Sequence, residues 1–394
     1  MDFHRKIIDS ISNSFKKTSD VFHVLIGPRQ VGKTTAAEQL IQKLKWPYVI
    51  ASADGPTPPG PEWIEQQWHL ATIKAKIATQ PVLLVLDEIQ KVKGWSEILK
   101  YLWDVNKPHR AKIRLLVLGS SALLVQKGLT ESLAGRFFLH RAPHWSWKEC
   151  QQAFGWSLDQ WLYFGGYPGA AVFADNQNQW KQYVKDSLIE SVLSRDVLQM
   201  QPINKPALLR HLFLLSATFP AQILSYNKML GQLQDAGNTT TLANYLWLLE
   251  QAFLVSGLEM FSQGHIRKRG SSPKLILWNN ALVNALSLKS FDEAQADRLW
   301  WGRLVENAVG AHLLNQLNPV DWIVSYWRQG DLEVDFVVQH GQEVWAIEVK
   351  SGKGQNQAGL TAFKKQYPKA KTLVIGSDGI PLEEFFANLP ERFF

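Results

Sequence analysis

The sequence Gly27-Pro28-Arg29-Gln30-Val31-Gly32-Lys33-Thr34-Thr35 directly follows the apolar run 21–26. It fits the pattern G-x-x-x-x-G-K-[ST], a loop that joins a buried strand to a helix. Gly27 and Gly32 let successive backbone N–H groups point inward at a triphosphate, and the helix that begins near Gly32 adds its positive end. Lys33 would then reach the β- and γ-phosphates, and Thr34 would offer its hydroxyl to Mg²⁺. The nine residues predict a nucleoside triphosphate site.

A second apolar run, 82–86, ends in Asp87 and Glu88. This pattern is typical of a parallel strand that is buried on both faces and carries chemistry at its carboxyl end. We expect Asp87 to hold Mg²⁺ through water and Glu88 to orient or deprotonate the attacking water. A chance pair of acids at a surface turn is the alternative, and the phosphate loop upstream makes it less favoured.

Helical and strand patterns alternate through the first 140 residues. The predicted helices are 4–17, 34–44, 62–79 and 95–105, and the predicted strands that accompany run 21–26 are 48–51, 82–87 and 112–118. Such alternation predicts an α/β fold with a parallel sheet covered on both faces, the architecture of P-loop NTPases.

Two further residues are candidates for this site. Ser120, or its neighbour Ser121, follows strand 112–118 and could hydrogen-bond the γ-phosphate or the attacking water; capping the next helix is the alternative role. Arg136 precedes a strand-like run and could reach the γ-phosphate of a neighbouring subunit as an arginine finger. A surface salt bridge is the other interpretation of Arg136.

The segments GPRQVGKTT, VLLVLDEIQ, VLGSSALL and ESLAGRF, in this order and spacing, resemble a large prokaryotic AAA+-type ATPase family. Its members carry a winged-helix segment and a C-terminal domain of unknown function that resembles restriction endonucleases. The resemblance continues through 163–169 and 194–198, although Leu118 stands where the family often has threonine. It implies a homo-oligomeric ATPase, with a ring such as a hexamer as one form.

The middle of the chain changes character twice. Residues 145–220 read as helices and are expected to form a lid beside the nucleotide. Beyond them, predicted helices 223–231 and 239–252 are separated by a turn and followed by two strands, which is the pattern of a winged helix. Between those strands lie Arg267, Lys268 and Arg269, with Thr239, Thr240 and Thr241 at the start of the second helix. These cations and hydroxyls could contact DNA phosphates, or the hairpin could be solvated on a module used for subunit packing.

The last part of the chain, with Asp335 on one predicted strand and Glu348-x-Lys350 on the next, resembles the PD-(D/E)xK nuclease core. A predicted helix, 301–317, contains Glu306, and three predicted strands follow, with Asp335 on the second. On the third strand, period-two alternation places Glu348 and Lys350 on one face. Glu306, Asp335 and Glu348 could bind Mg²⁺ or Mn²⁺ for phosphodiester cleavage, with Lys350 orienting the nucleophile. The alternatives are ordinary edge-strand charges, or a scaffold of this fold that does not cut.

Composition limits the class of protein. The chain has 394 residues, of which 46% are hydrophobic and 20% charged, as in globular proteins. No apolar stretch reaches the length of a membrane span, and the N-terminus does not read as a signal peptide. The single cysteine suits a reducing compartment, so a cytoplasmic location is expected. The net charge of +7 is compatible with nucleic acid as a partner without requiring it.

These observations predict an ATPase core at 1–142, a helical lid at 143–220, a winged-helix segment at 221–290 and a nuclease-like domain at 291–394. The leading hypothesis is an oligomeric, Mg²⁺-dependent ATPase that acts as a motor or remodeller on duplex or branched DNA, which the C-terminal domain binds or cuts. The alternative is an ATP-dependent assembly switch, in which both later domains serve recognition of protein or nucleic acid without cleavage.

Overall fold

The structure is a computed structural model of the chain. It describes residues 3–17, 20–106, 112–119, 132–200, 203–233, 237–262, 272–352 and 357–394. The chain divides into two compact units, residues 1–143 and residues 144–394. The boundaries predicted at 220 and 290 both fall inside the second unit.

The first unit is built on a five-stranded sheet in the order β2-β3-β4-β1-β5. All four strand pairings are parallel, with Leu25 opposite Leu118 and Ser52 opposite Asp87. The strands are β1 (Phe22–Ile26), β2 (Tyr48–Ser52), β3 (Val82–Asp87), β4 (Ile113–Gly119) and β5 (Phe137–Arg141). Every residue of β1 and β3 is buried, as their unbroken apolar runs require. The predicted parallel α/β sheet is confirmed.

Four helices accompany this sheet in the described part of the first unit: α1 (Lys6–Lys17), α2 (Lys33–Leu44), α3 (Glu62–Ile77) and α4 (Trp95–Val105). Each begins and ends within two residues of its predicted position. The buried residues of α1 and α2 recur at three- or four-residue spacing, which is the period of a helix face turned to a core.

The second unit begins with helices: α5 (Trp147–Phe154), α6 (Leu158–Phe164), α7 (Pro168–Ala171), α8 (Gln177–Tyr183), α9 (Val197–Met200) and α10 (Pro206–Thr218). Ser146 and Ser157 begin α5 and α6 with reciprocal capping boxes, to Glu149 and Gln160. Between α8 and α9 the chain has two π-helical segments, Val184–Ile189 and Val192–Asp196. The predicted helical character of 145–220 holds in the described residues.

A small antiparallel sheet follows, in the order β6-β8-β7. Its elements are β6 (Gln222–Ile223), α11 (Tyr226–Gln232), α12 (Thr239–Gln251), β7 (Val255–Leu258) and β8 (Lys274–Leu277). The prediction of a helix from 223 was wrong at its start, because Ile223 pairs with Lys274 and the Ser225 side chain caps the helix two residues later.

The C-terminal region contains a four-stranded sheet in the order β12-β11-β10-β9. β9 (Trp322–Gln329), β10 (Leu332–His340) and β11 (Glu343–Lys350) are antiparallel neighbours, and β12 (Lys371–Gly376) runs parallel to β11. The accompanying helices are α13 (Ala281–Asn284), α14 (Phe291–Ala296), α15 (Arg298–Gln316), α16 (Ala358–Gln366) and α17 (Leu382–Ala387). Phe363 of α16 is fully buried in the core of this sheet. The predicted mixed strands are present, whereas α13, α14 and α17 were not predicted.

Among the described residues, no helix combines the length and the apolar character that crossing a bilayer requires. Cys150, the chain's one cysteine, is fully buried in α5.

Candidate nucleotide site and C-terminal acidic cluster

The phosphate loop lies between β1 and α2, where its sequence predicts it. Gly32 has a φ of +88°, in the left-handed region that glycine adopts at little cost, and α2 begins at the next residue. Gly27 has a different requirement. A Cβ added at Gly27 would lie 2.1 Å from the carbonyl oxygen of Ala142, so only glycine allows the chain after β5 to pack this closely.

Lys33 is buried beneath the loop. Its ammonium group donates hydrogen bonds to the carbonyl oxygens of Gly27, at 3.0 Å, and Pro28, at 2.7 Å. These oxygens stand in for the phosphate oxygens that a P-loop lysine binds. The lysine is therefore held inside the loop, as a phosphate-binding role requires.

Thr34 and Asp87 come together from α2 and the end of β3. The Thr34 hydroxyl donates to Asp87 Oδ2 at 2.7 Å, and the backbone N–H of Glu88 donates to Asp87 Oδ1 at 2.9 Å. A hydroxyl and a carboxylate are oxygen ligands of the kind that Mg²⁺ takes, directly or through water. The arrangement fits the magnesium ion that accompanies a nucleotide in P-loop enzymes.

Glu88 lies beside this pair in an uncommon backbone conformation. Its φ is +53°, and it precedes a short 3₁₀ turn, Ile89–Lys91. The side-chain amide of Gln90 donates to Glu88 Oε2 at 2.7 Å. A non-glycine residue in the left-handed region stores strain that is common at functional sites.

Arg5 is a contact to the loop that the sequence did not reveal. Its guanidinium is buried just before α1 and donates to the carbonyl oxygens of Val31, at 3.2 Å, and Pro143, at 3.1 Å. Val31 is part of the phosphate loop, so Arg5 fixes the loop against the segment that follows β5. The available signal was a lone arginine before an amphipathic helix, which is too common to be specific.

Of the two further residues predicted for the nucleotide site, the structure describes Arg136 but not Ser120. Ser120 and Ser121 lie outside the described residues, although β4 ends at Gly119 between β3 and β1. Arg136 binds Asp104 with two hydrogen bonds, of 3.0 and 2.9 Å, and this pair is partly exposed. The salt bridge left open for Arg136 is thus present within the chain, and its role toward a neighbouring subunit stays a prediction.

In the C-terminal sheet, the predicted residues are adjacent but already paired. The Lys350 ammonium donates to Glu348 Oε1 at 2.6 Å, as expected for two side chains on one strand face. Asp335 Oδ2 accepts a hydrogen bond from the Val349 backbone N–H at 2.8 Å. Glu306, on α15, accepts from Arg303 at 3.0 Å.

A lysine absent from the predicted set lies among these acids. Glu306, Glu333 and Asp335 each offer a carboxylate oxygen, and these oxygens lie within 4.8 Å of one another. The ammonium of Lys274, from β8, lies 2.6 Å from Glu306, 3.0 Å from Glu333 and 3.5 Å from Asp335. The Lys274 side chain has no solvent exposure. We call Lys274, Glu306, Glu333 and Asp335 the acidic cluster.

Burial and charge act in opposite directions on this cluster. Burial raises the pKa of Glu306 to about 7, although Lys274 opposes the rise. Burial and the nearby Asp335 raise the pKa of Glu348 to about 7, although Lys350 opposes the rise. Burial lowers the pKa of Lys274, but the carboxylates of Glu306, Asp335 and Glu333 outweigh it and the net shift is upward. Lys274 is therefore a permanent cation.

Of the residues predicted to contact DNA, the structure describes the three threonines of α12 but not the three basic residues. Arg267, Lys268 and Arg269 lie outside the described residues. On α12, Thr241 donates its backbone N–H and its hydroxyl to the side chain of Asn238, which caps the helix. Thr239 and Thr240 are exposed.

Three family models match successive parts of the chain. Residues 20–151 match an AAA domain, residues 155–293 match a domain of unknown function (DUF8612), and residues 301–390 match another domain of unknown function (DUF4143). No curated protein matches the chain.

Two solved structures are similar at low identity. The Walker-type ATPase PABY2304 of Pyrococcus abyssi has 13% identity and a TM-score of 0.47, with 72% of this chain and 95% of that chain covered. The Aeropyrum pernix ORC1 protein in complex with DNA has 13% identity and a TM-score of 0.32, with 73% and 92% covered. The match of residues 20–151 to an AAA domain agrees with the parallel sheet and the phosphate loop of the first unit.

Proposed function

We propose that this chain, of which residues 20–151 match an AAA domain, hydrolyses ATP with Mg²⁺ and couples turnover to DNA. The observation that carries the ATPase assignment is the convergence of Lys33, the Thr34–Asp87 pair and Glu88 at the carboxyl end of one parallel sheet. Ligands of α/β sheets bind at this edge, where the strands deliver polar residues and the following helix delivers its N-terminus.

Each residue has a separate task in this proposal. Lys33 exchanges the carbonyl oxygens of Gly27 and Pro28 for phosphate oxygens. Thr34 and Asp87 would hold a magnesium ion, which would supply positive charge against the phosphates of a bound nucleotide. Glu88 orients the attacking water or accepts its proton.

The assignment is tested by phosphate release with two variants and one matched control. Lys33→Ala should lose nucleotide binding, whereas Lys43→Ala, at an exposed position of the same helix, should bind ATP as the native chain does. Glu88→Gln should bind ATP and release at least 100-fold less phosphate per minute, because a general base contributes about 10² to 10⁴ to a rate. Native turnover by Glu88→Gln would remove the role given to Glu88.

Arg136 is proposed to act on the nucleotide of a neighbouring copy, in exchange for its Asp104 partner. Mixing inactive variants tests this directly. Lys33→Ala lacks a working phosphate loop but retains Arg136, and Arg136→Ala retains the loop. Mixed assemblies should regain turnover, since some sites then combine an intact loop with an intact arginine. Two inactive variants that regain nothing on mixing would leave Arg136 as a residue of the surface salt bridge.

Coupling to DNA is supported by charge and by the order of elements. The chain has a net charge of +7, and in the sequence the basic segment Arg267-Lys268-Arg269 falls between β7 and β8, after helices α11 and α12. Such segments bind phosphates without reading base sequence. We therefore propose that the region 221–290 is a winged helix that contacts the DNA backbone, with the C-terminal sheet as a second, nuclease-like binding surface.

The deciding measurement is ATP turnover without DNA and with single-stranded, duplex or branched DNA, at 50 and 200 mM salt. Stimulation by one form, weaker at the higher salt, would establish coupling, because contacts to phosphates release counterions. Equal turnover with every form would refute it.

A second candidate is an ATP-dependent assembly switch without cleavage. The observation that favours it is the acidic cluster, which contains the buried cation Lys274 and so is suited to holding a fold together rather than to cutting. Light scattering separates the candidates when it is combined with the turnover assay. For a switch, the mass of the assembly should change when ATP is added, and the rate of ATP turnover should be the same with and without DNA. For the DNA-coupled enzyme, the rate of ATP turnover should rise with DNA, whatever the mass of the assembly.

A further inference from the structure

The cluster around Lys274 has the form of a cation site that already contains a cation. Carboxylates from α15 and β10 direct one oxygen each toward a common point. A divalent metal at such a point would lie about 2.0 to 2.6 Å from its oxygen ligands. The Lys274 nitrogen occupies it instead, at 2.6 to 3.5 Å from Glu306, Glu333 and Asp335.

A fourth oxygen completes the surroundings of the lysine. The ammonium donates to the backbone carbonyl of Asp335 at 3.1 Å, and it lies 5.0 Å from the ring centroid of Phe336, within reach of a cation–π interaction. Of its three N–H donors, the ammonium directs one to Glu333 Oε1 and one to this carbonyl, and it lies at ion-pair distance from Glu306 Oε1.

We propose that Lys274 is the resident cation of the acidic cluster and takes the position of the metal that a nuclease of this fold would hold. The residues present therefore do not fit a metal centre in the folded chain. The C-terminal sheet binds its partner or holds the fold together, and it does not cut phosphodiesters with a metal at this position.

The position of Lys274 in its sheet holds its ammonium group among the acids. β8 is the central strand of its three-stranded sheet, and Lys274 itself pairs with Ile223 on one side and Leu258 on the other. The side chain cannot swing to solvent while both pairings persist, since the residue is fully buried. A metal ion would have to displace a covalently attached cation whose local concentration does not fall on dilution.

The neighbouring acids are also matched by cations of the chain. Glu348 pairs with Lys350 at 2.6 Å, and Glu306 pairs with Arg303 at 3.0 Å as well as with Lys274. Lys350 pairs with Glu348 Oε1, so the two side chains together carry no net charge, while Glu348 Oε2 is buried without a hydrogen-bond partner among the described residues.

The test is a Mn²⁺ titration of the full chain without nucleotide, with free Mn²⁺ measured by electron paramagnetic resonance. Native protein and Asp335→Asn should bind equal amounts, because any ion at Thr34 and Asp87 is common to both. Loss of one equivalent in Asp335→Asn would overturn the proposal. So would Mn²⁺-dependent nicking of plasmid DNA that the native chain performs and Glu348→Ala does not.

Removing the lysine gives the complementary result. Lys274→Met should gain one equivalent of bound Mn²⁺ over the native chain and lose it again when Asp335→Asn is added. Lys371→Met, which removes an exposed lysine paired with Glu343 in the same region, is the matched control and should gain none. A folded Lys274→Met that gains no Mn²⁺ would contradict the assigned position. If this variant fails to fold, the comparison of native chain with Asp335→Asn still decides.

Discussion

Lowering the pH from 7 to 5 should destabilise residues 1–143 through a buried pair of histidines. His23 lies on β1 and His140 on the adjacent β5, both are buried, and His23 Nδ1 is 2.9 Å from His140 Nε2. Burial, with the charges of His140 and Arg114, lowers the pKa of His23 from 6.5 to about 3. Burial lowers the pKa of His140 from 6.5 to about 4. The folded unit therefore takes up almost no proton at these positions above pH 5.

The size of the effect follows from proton linkage. In the unfolded chain both histidines titrate near pH 6.5, so they gain protons on acidification while the folded pair stays neutral. Between pH 7 and pH 5 each histidine therefore favours the unfolded state by about 1.9 kcal/mol, or about 4 kcal/mol for the pair. Since a typical domain has about 5 to 15 kcal/mol of stability, this loss is large. The contribution of the histidine pair to the stability of the unit is fully present well above pH 6.5, the pKa in the unfolded chain. It is lost as the pH falls from there toward the folded pKa values of about 4 and about 3.

Hydrogen exchange read by mass spectrometry can follow this unit inside the full chain. The opening free energy of the slowest amides in β1 and β4 should fall by about 4 kcal/mol from pH 7 to pH 5 after correction for intrinsic rates. The double variant His23→Leu/His140→Leu should lose most of that fall, whereas His69→Gln, an exposed histidine of α3, should retain it. An equal fall in the double variant would refute the reasoning.

Three further substitutions test contacts that the structure reveals. Arg5→Met removes the donor to the Val31 carbonyl in the phosphate loop and should raise the KM for ATP several-fold with kcat little changed. An unchanged KM would show that Arg5 does not position the loop for ATP binding. Asn307→Leu leaves the N–H and C=O of Leu277 without their buried partner and should lower the free energy of unfolding in urea by about 3 kcal/mol, while a loss below about 1 kcal/mol would contradict this. Phe363→Ala opens a cavity in the C-terminal core and should cost about 3 to 5 kcal/mol in the same assay; a negligible cost would mean that the core collapses around the gap.

Local patterns in the sequence were enough to predict most of the fold of the first unit. The apolar runs at β1 and β3 are long enough to require burial on both faces, and the glycine-rich loop after β1 fixes the direction of α2. The side chains of Glu348 and Lys350 were predictable for the same reason, because two residues of one strand share a face whatever the strand pairs with.

The order of strands was not predictable in this way. His23 and His140 are 117 residues apart, and they meet only because β5 is added beside β1 rather than beside β2. Both histidines sit in otherwise apolar runs, which signals burial but does not identify a partner. The contact of Arg5 with Val31 is hidden for the same reason, since it depends on where α1 lies against the loop.

The acidic cluster is the case in which local patterns were misleading. Lys274 lies on β8, which corresponds to the second strand of the predicted winged helix, and the boundary placed at 290 separates it from Glu306, Glu333 and Asp335. A fragment of residues 291–394 would therefore contain three adjacent, partly buried carboxylates without the ammonium that lies among them. Breaking a buried ion network by removing one partner costs about 3 to 5 kcal/mol, which is comparable to the stability of a domain of this size.

We accordingly expect fragment 291–394 to be unfolded at pH 7 by near-ultraviolet circular dichroism, and fragment 144–394, which retains Lys274, to be folded. Acidification to pH 5 should favour the shorter fragment, because burial raises the pKa of Glu306 to about 7 and a protonated Glu306 no longer repels Glu333 and Asp335. Independent folding of 291–394 at pH 7, with a stability equal to that of its counterpart in 144–394, would show that Lys274 is dispensable. We therefore expect the C-terminal region to fold as a unit only when it includes β8, because β8 supplies the Lys274 ammonium that pairs with Glu306, Glu333 and Asp335.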